Sequence, residues 1–286
     1  MKKEGNEIMK KIGLFITTAA LLISSSIMPA FASTSSPYVE SDTTVDFTLA
    51  QGKTYAYKMT VHGTHANPRI VAGNGNVLRT ESVTHRMENG NDVYYFKVRA
   101  IGKQGQATGV YTTLPNQKSV RHSDITIPYQ AGFYHVGVDI PEGKYCLQVN
   151  QTNISEGVYF IRQSSDIDST TIDCDAFCDR DYISVSNGQY LEVKYSSFIP
   201  ANNVSRLFPS NGKYKASEYR VGIDIPAGKY IITPYKDEEA YVALHKDVGN
   251  NIYGIITNAN ISSPHTISVY DGQYLQVERG SIIKES

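Results

Sequence analysis

The chain has 286 residues and a formal net charge of −1, a length that suits two or three domains. The balanced charge excludes the basic surface typical of nucleic-acid-binding proteins and the acidic excess typical of disordered chains. Tyrosine occurs 21 times and tryptophan is absent, while glycine and asparagine recur in short clusters. This composition is typical of many short strands joined by tight turns, so we predict an all-β protein.

The N-terminus carries the three parts of a secretory signal peptide. Lys10 and Lys11 form a positive region, residues 12–23 are an apolar run too short for a comfortable membrane span, and the Ala-Phe-Ala sequence at 30–32 supplies small residues before a cleavage site. We therefore predict a signal peptide over 1–32, with an uncleaved anchor as the alternative. The mature protein is expected to be secreted and not membrane-spanning, either released or held non-covalently at the cell envelope.

Residues 38–127 alternate between apolar and polar side chains in several short runs, of which 93–101 is the strongest predicted strand. Asn-Gly pairs at 74–75 and 89–90 are turn signals between these runs. Short strands at this spacing predict an immunoglobulin-like β-sandwich module over 38–127.

The rest of the chain contains an internal repeat. The block YHVGVDIPEGKY at 134–145 returns as YRVGIDIPAGKY at 219–230. The block ISVSNGQYLEV at 183–193 returns as ISVYDGQYLQV at 267–277. The sequence therefore predicts two copies of one small β-module.

These two copies set the predicted domain organisation. Repeat 1 spans 128–200, repeat 2 spans 212–284, and 201–211 is the linker between them. With the module at 38–127, the prediction is three small antiparallel β-sandwich or barrel-like modules, the last two in tandem.

Several repeated residues have turn chemistry. The Ile-Pro-x-Gly segments predict type I turns, with proline at the second position and glycine at the fourth; their prolines and glycines are Pro141, Gly143, Pro226 and Gly228. The Asn-Gly and Asp-Gly pairs that end in Gly188 and Gly272 predict two-residue hairpins. Asp139 and Asp224 are expected to accept hydrogen bonds from nearby turn amides rather than to act as catalytic acids.

The repeated V-G-x-D-I-P-x-G-x-Y and (D/N)-G-Q-Y-L blocks resemble β-modules found, often in tandem, in secreted and envelope proteins of Firmicutes. The first module, with its segments 42–47 and 107–111, resembles an immunoglobulin-like module of clostridial and bacillar surface proteins. The resemblance covers nearly all of the mature chain. It implies an origin and a location at or outside the cell surface, and no defined activity.

No motif in the chain predicts catalysis, a metal site or a cofactor. His62 and His65 lie in a turn-prone segment without the helical spacing of a zinc protease, and no nucleophile elbow, phosphate-binding loop or dinucleotide fingerprint is present. The acidic segment 166–181 could attract Ca²⁺ through its carboxylates, but it lacks the spacing of an EF-hand loop, and we expect it to be solvated.

The three cysteines, Cys146, Cys174 and Cys178, all lie in repeat 1. In an exported chain we predict one disulfide, between Cys146 and either Cys174 or Cys178, because the longer loop gains more stability than the short one between the adjacent pair. A zinc site made of the three cysteines and an aspartate is the less favoured alternative.

The repeated tyrosines divide between core and surface. Tyr190 and Tyr274 alternate with Leu191 and Leu275, so burial of the leucines turns these tyrosines to the outer face, where they are candidate ligand-binding residues. Tyr145 and Tyr230 are expected in the core.

Three functions remain open from the sequence. We favour a non-enzymatic binding or structural protein whose partner is a cell-wall or extracellular polysaccharide or a surface protein, since two weak sites gain avidity on a polymer. The first alternative is a secreted hydrolase whose carboxylates converge in a cleft between modules. The second is a secreted effector or inhibitor that binds another protein through an exposed apolar patch.

Overall fold

The computed structural model describes residues 36–149, 156–248 and 254–285, and the predicted signal peptide lies outside them. As predicted, the described residues are all-β: they form strands, with a 3-10 turn at Ala201–Asn203 and no α-helix. The described residues thus contain no helix that could cross a membrane.

The first module is a sandwich of two four-stranded sheets around one core. Its strands are β1 Tyr38–Ser41, β2 Phe47–Thr48, β3 Thr54–His62, β4 Arg69–Ala72, β5 Leu78–Glu88, β6 Asn91–Ala100, β7 Ala107–Thr113 and β8 Val120–Thr126. The sheets have the orders β1-β3-β6-β5 and β2-β8-β7-β4. The pairing is antiparallel except between β2 and β8, which run parallel. Asn89 and Gly90 have φ of 49° and 80° and join β5 to β6 directly, which is the primed hairpin that Asn-Gly favours.

Repeat 1 is a seven-stranded sandwich. Its strands are β9 Gly132–His135, β10 Gly143–Val149, β11 Gly157–Arg162, β12 Thr171–Phe177, β13 Arg180–Val185, β14 Tyr190–Lys194 and β15 Ser196–Pro200. A three-stranded sheet, β13-β10-β15, faces a four-stranded sheet, β12-β11-β14-β9. Tyr145, Tyr159 and Phe198 fill the core between them.

Repeat 2 has the same strands in the same sheet order. They are β16 Ser217–Arg220, β17 Gly228–Pro234, β18 Ala240–His245, β19 Ile255–Ile261, β20 His265–Val269, β21 Tyr274–Glu278 and β22 Gly280–Lys284. The sheet β20-β17-β22 faces β16-β21-β18-β19, and Tyr230 occupies the core position of Tyr145, as predicted. The sequence repeat is therefore a structural repeat of one sandwich.

The turns at Gly188 and Gly272 differ from the predicted hairpins. Only the glycines have positive φ, 86° and 87°, and the preceding Asn187 and Asp271 do not. The strands on either side of each turn belong to the two opposed sheets of the sandwich and do not pair with each other. A primed hairpin needs positive φ at both central residues, whereas a turn with positive φ only at the second lets the flanking strands diverge.

The proline motif also forms its hydrogen-bonded turn earlier than predicted. The amide of Val138 donates to the carbonyl of His135 (3.1 Å), and in repeat 2 the amide of Ile223 donates to the carbonyl of Arg220 (3.3 Å). Gly143 instead opens strand β10 with a φ of 146°, and Gly228 opens β17 with 145°, a backbone region that essentially only glycine reaches. The carbonyls of Pro141 and Pro226 accept the hydroxyls of the core tyrosines four residues later, at 2.7 and 2.6 Å.

The two repeats pack against each other through different faces. Cys146 and Tyr182, on the outer face of the three-stranded sheet of repeat 1, form a buried cluster with Tyr274, on the outer face of the four-stranded sheet of repeat 2. The linker takes part, because Arg220 donates hydrogen bonds to the carbonyls of Ala201 (2.6 Å) and Val204 (3.4 Å). Repeat 1 thus covers the outer face of the four-stranded sheet of repeat 2, whereas the equivalent face of repeat 1 is open.

Candidate binding surface

The open outer face of the four-stranded sheet of repeat 1 carries a row of three aromatic rings. Leu191 and Val193 of β14 point into the core, so Tyr190 lies on the outer face, as predicted. The Tyr190 ring is stacked on His135, with centroids 4.5 Å apart and planes within 5°, and on Phe133, with centroids 5.6 Å apart. We call Phe133, Tyr190 and His135 the aromatic platform.

Phe133 is the ring of the platform that is available to a ligand. Tyr190 lies between its two neighbours, whereas Phe133 stands at one end of the row and is 47% exposed. Tyr190 was predicted as a binding residue because it recurs in both repeats, whereas Phe133, which repeat 2 replaces with Glu218, was not predicted. The replacement of Phe133 by a charged residue in repeat 2 was the sequence feature that could have identified Phe133 as a surface residue specific to repeat 1.

A charged group borders the platform. Arg162 lies over the ring of Phe160 at 4.7 Å and donates a hydrogen bond to Glu192 (2.7 Å). Lys194 pairs with the same carboxylate at 2.9 Å. Hydrogen bonds from Lys194 and, less strongly, Arg162 lower the pKa of Glu192, so this carboxylate is ionised at neutral pH. The surface therefore offers an aromatic ring beside fixed hydrogen-bonding groups.

The equivalent face of repeat 2 is closed. Glu218, Arg220, Tyr274 and His245 stand where repeat 1 has Phe133, His135, Tyr190 and Arg162, and all four are buried. Tyr274 is only 9% exposed and packs edge-on against Tyr182, with centroids 5.9 Å apart. The prediction that Tyr274 is a surface binding residue is therefore wrong, because strand alternation gives the face of a side chain but not what packs on that face. Because only one of the two equivalent faces is open, the chain cannot gain avidity from two such sites.

Two carboxylates from different repeats meet in the interface between them. The amide of Tyr182 donates to Asp181 (2.7 Å) and to Glu218 (2.6 Å). Burial is the main cause that raises the pKa of Asp181 well above its usual range and that of Glu218 to about 7. The adjoining cavity, lined in part by Glu218, has a volume of about 10 Å³, which is room for one water at most. The two carboxylates therefore lie close together, as a hydrolase site would require, but the cavity beside them is too small for a substrate.

The repeated aspartates bind turn amides, as predicted. The carboxylate of Asp139 accepts the amide of His135 (2.7 Å), and that of Asp224 accepts the amide of Arg220 (2.8 Å). Asp224 also forms an ion pair with the Arg220 side chain at 2.7 Å. These contacts give both carboxylates a structural role.

The three cysteines are free thiols, so the predicted disulfide of Cys146 is not formed. Cys146 is buried on the outer face of β10 in the interface between the repeats. Cys174 and Cys178 are exposed, on β12 and just after it, in the opposite sheet of the sandwich. Burial raises the pKa of the Cys146 thiol to about 12, which makes it a poor partner for exchange.

The other polar groups considered from the sequence do not assemble into a metal site. His62 pairs with Glu40 and His65 with Asp92, so the two imidazoles bind different carboxylates. Within the described ranges no three His, Cys, Asp or Glu side chains are placed to hold an ion together.

Comparison with known proteins adds little. No protein-family model matches the chain, and no curated protein matches it at a significant level. Among solved structures, the chain is similar to the Bacteroides ovatus mixed-linkage glucan utilization locus (MLGUL) SGBP-B in complex with mixed-linkage heptasaccharide. The identity is 10%, the alignment covers 83% of this chain and 71% of that chain, and the TM-score is 0.19. A TM-score of 0.19 is too low for a shared fold, so this likeness carries no argument about the present chain.

Proposed function

We propose that this chain is an exported, non-enzymatic binding protein that holds a cell-wall or extracellular polysaccharide on the aromatic platform of repeat 1. One observation carries the proposal: Phe133 stands exposed at the end of a stacked row on the open face of a rigid sheet. Exposed aromatic side chains on a rigid element are a frequent feature of binding surfaces.

The chemistry of the surface suits a sugar. The apolar face of Phe133 can contact the C–H groups of a pyranose ring. The Tyr190 hydroxyl and the charged pair Glu192–Lys194 can exchange hydrogen bonds with sugar hydroxyls. The stacking of Tyr190 between two rings fixes the platform before a ligand arrives, so little conformational entropy is lost on binding.

Two features of the sequence support a location outside the cell. The predicted signal peptide over 1–32 and the resemblance of the repeats to envelope modules of Firmicutes support a protein that meets its ligand outside the cell. The inaccessible Asp181–Glu218 pair supports binding rather than hydrolysis.

A glycan array combined with sedimentation on insoluble cell walls tests the function and identifies the ligand class. We expect retention of the chain on at least one polysaccharide, with no release of reducing sugar from it. Hydrolysis of the bound polymer would contradict the non-enzymatic proposal, and failure to bind any polysaccharide would contradict the ligand class.

A further inference from the structure

A second candidate site lies where the first module, repeat 1 and the linker meet. A cavity of about 350 Å³ lies there, which is within the size range of small-molecule sites. We call it the junction cavity. None of the three platform residues lines it.

The walls of the junction cavity are largely apolar. Phe47 comes from the first module, Ile199 from β15, and Leu207 and Phe208 from the linker. Phe208 is 71% exposed, so this large apolar ring lies against solvent beside a cavity that it helps to line. An apolar ligand in the cavity would cover surface that now contacts water.

Arg180 gives the cavity its charge. Its Nε and Nη1 atoms are buried and have no hydrogen-bond partner, an unusual state for a guanidinium, which normally satisfies its donors. The carboxylates around it are engaged elsewhere: Asp179 pairs with Lys215, and Asp224 pairs with Arg220. The exposed Arg206 adds a second positive charge to the lining.

Asp46, the acidic residue among the described lining residues, does not neutralise this positive charge. The carboxylate of Asp46 accepts the amide of Asp124 (2.7 Å) and a nitrogen of Arg121 (3.3 Å). Unpaired donors among apolar walls fit an anion with an apolar body.

We propose that the junction cavity binds a small organic monocarboxylate, with its apolar body between Phe47, Ile199 and Phe208 and its carboxylate paired with Arg180. Carboxylate and guanidinium match in geometry and can form two parallel hydrogen bonds. Because the unpaired Arg180 nitrogens are buried, binding requires the guanidinium to turn toward the junction cavity.

The proposed site can be tested by calorimetric titration. The full chain is titrated with benzoate and hexanoate and, for comparison, with the neutral compounds benzamide and hexanol. We expect the carboxylates to bind at millimolar concentration or tighter and the neutral compounds to bind at least about tenfold more weakly. Equal binding of acid and neutral compound, or no binding of either acid, would overturn the proposal.

The Arg180→Met variant supplies the second readout. Because the native nitrogens lack partners, the variant should melt no lower than the unmodified protein, while it loses at least about tenfold in benzoate affinity and the rise in melting temperature that benzoate causes. Arg79→Met, on the far strand β5 of the first module, is the matched control and should keep both. Unchanged benzoate binding by Arg180→Met would contradict the site even if polysaccharide binding is confirmed.

Discussion

The hydroxyl of Tyr182 in repeat 1 donates a 2.7 Å hydrogen bond to the fully buried carboxylate of Asp224 in repeat 2. The same carboxylate accepts the backbone amide of Arg220 and pairs with its guanidinium, which lies 4.8 Å over the Tyr182 ring. The repeated aspartate binds a turn amide in both repeats, and in repeat 2 it also binds Tyr182 and so links the two repeats.

This arrangement predicts unequal costs for the same substitution in the two repeats. Asp224→Asn should lower the free energy of unfolding by about 3–5 kcal/mol, because it leaves the buried Arg220 cation without its partner. Asp139→Asn, at the equivalent exposed position, should cost only about 1 kcal/mol. Denaturant unfolding of both variants measures this, and equal costs would contradict the role of Asp224 in the interface.

The buried carboxylates predict a pH dependence of stability. Burial, with the neighbouring Asp175 and Asp224 charges, raises the pKa of Glu218 from 4.5 to about 7 in the folded protein. Between those values the folded state binds more protons than the unfolded state, so stability should fall as pH rises from 4.5 to about 7. Glu218→Gln should reduce this slope, and Asp181, whose pKa in the folded protein is also raised, accounts for the remainder. A difference in unfolding free energy between the two proteins that stays constant over this window would count against a protonated pair.

The two equivalent tyrosines should respond in opposite ways to substitution. Tyr274→Ala should lower the free energy of unfolding by roughly 3 kcal/mol, since it opens a cavity between the repeats, and should leave polysaccharide binding unchanged in the folded protein. Tyr190→Ala should change stability much less and weaken binding by removing the support of Phe133. Thermal unfolding together with cell-wall sedimentation distinguishes the two, and the reverse pattern would refute the assignment of faces.

The thiols should differ in reactivity. In native protein a thiol reagent should modify Cys174 and Cys178 but not Cys146, whose burial raises its pKa to about 12. Unfolding should then expose Cys146 to the reagent. Peptide mapping under non-reducing conditions checks this, and recovery of a disulfide-linked peptide that contains Cys146 from native protein would contradict the free, buried thiol.

The sequence predicted the parts of the fold that depend on local chemistry. Strand alternation placed Tyr190 outside and Tyr145 inside, and the repeated blocks predicted two copies of one small β-module. It could not predict which outer face would be covered, because Tyr190 and Tyr274 occupy the same position in the same motif. The distinction lies in their neighbours: Phe133 and His135 leave an aromatic surface, whereas Glu218 and Arg220 both contact Tyr182 of the other repeat.

The turn at Gly188 shows a second limit of local patterns. Asn-Gly is compatible with a hairpin at 89–90 and with a crossing between sheets at 187–188. The choice between them depends on whether the flanking strands can pair, which is decided by the whole sandwich and not by the two turn residues.

The most direct test of the polysaccharide site is the dissociation constant of Phe133→Ala on the polysaccharide that the screen selects. The proposed stacking predicts an affinity loss of about tenfold at unchanged melting temperature. Tyr270→Ala, which removes a 66% exposed ring from repeat 2, is the matched control and should bind like the unmodified protein. An unchanged dissociation constant for Phe133→Ala would contradict the aromatic platform as the binding site.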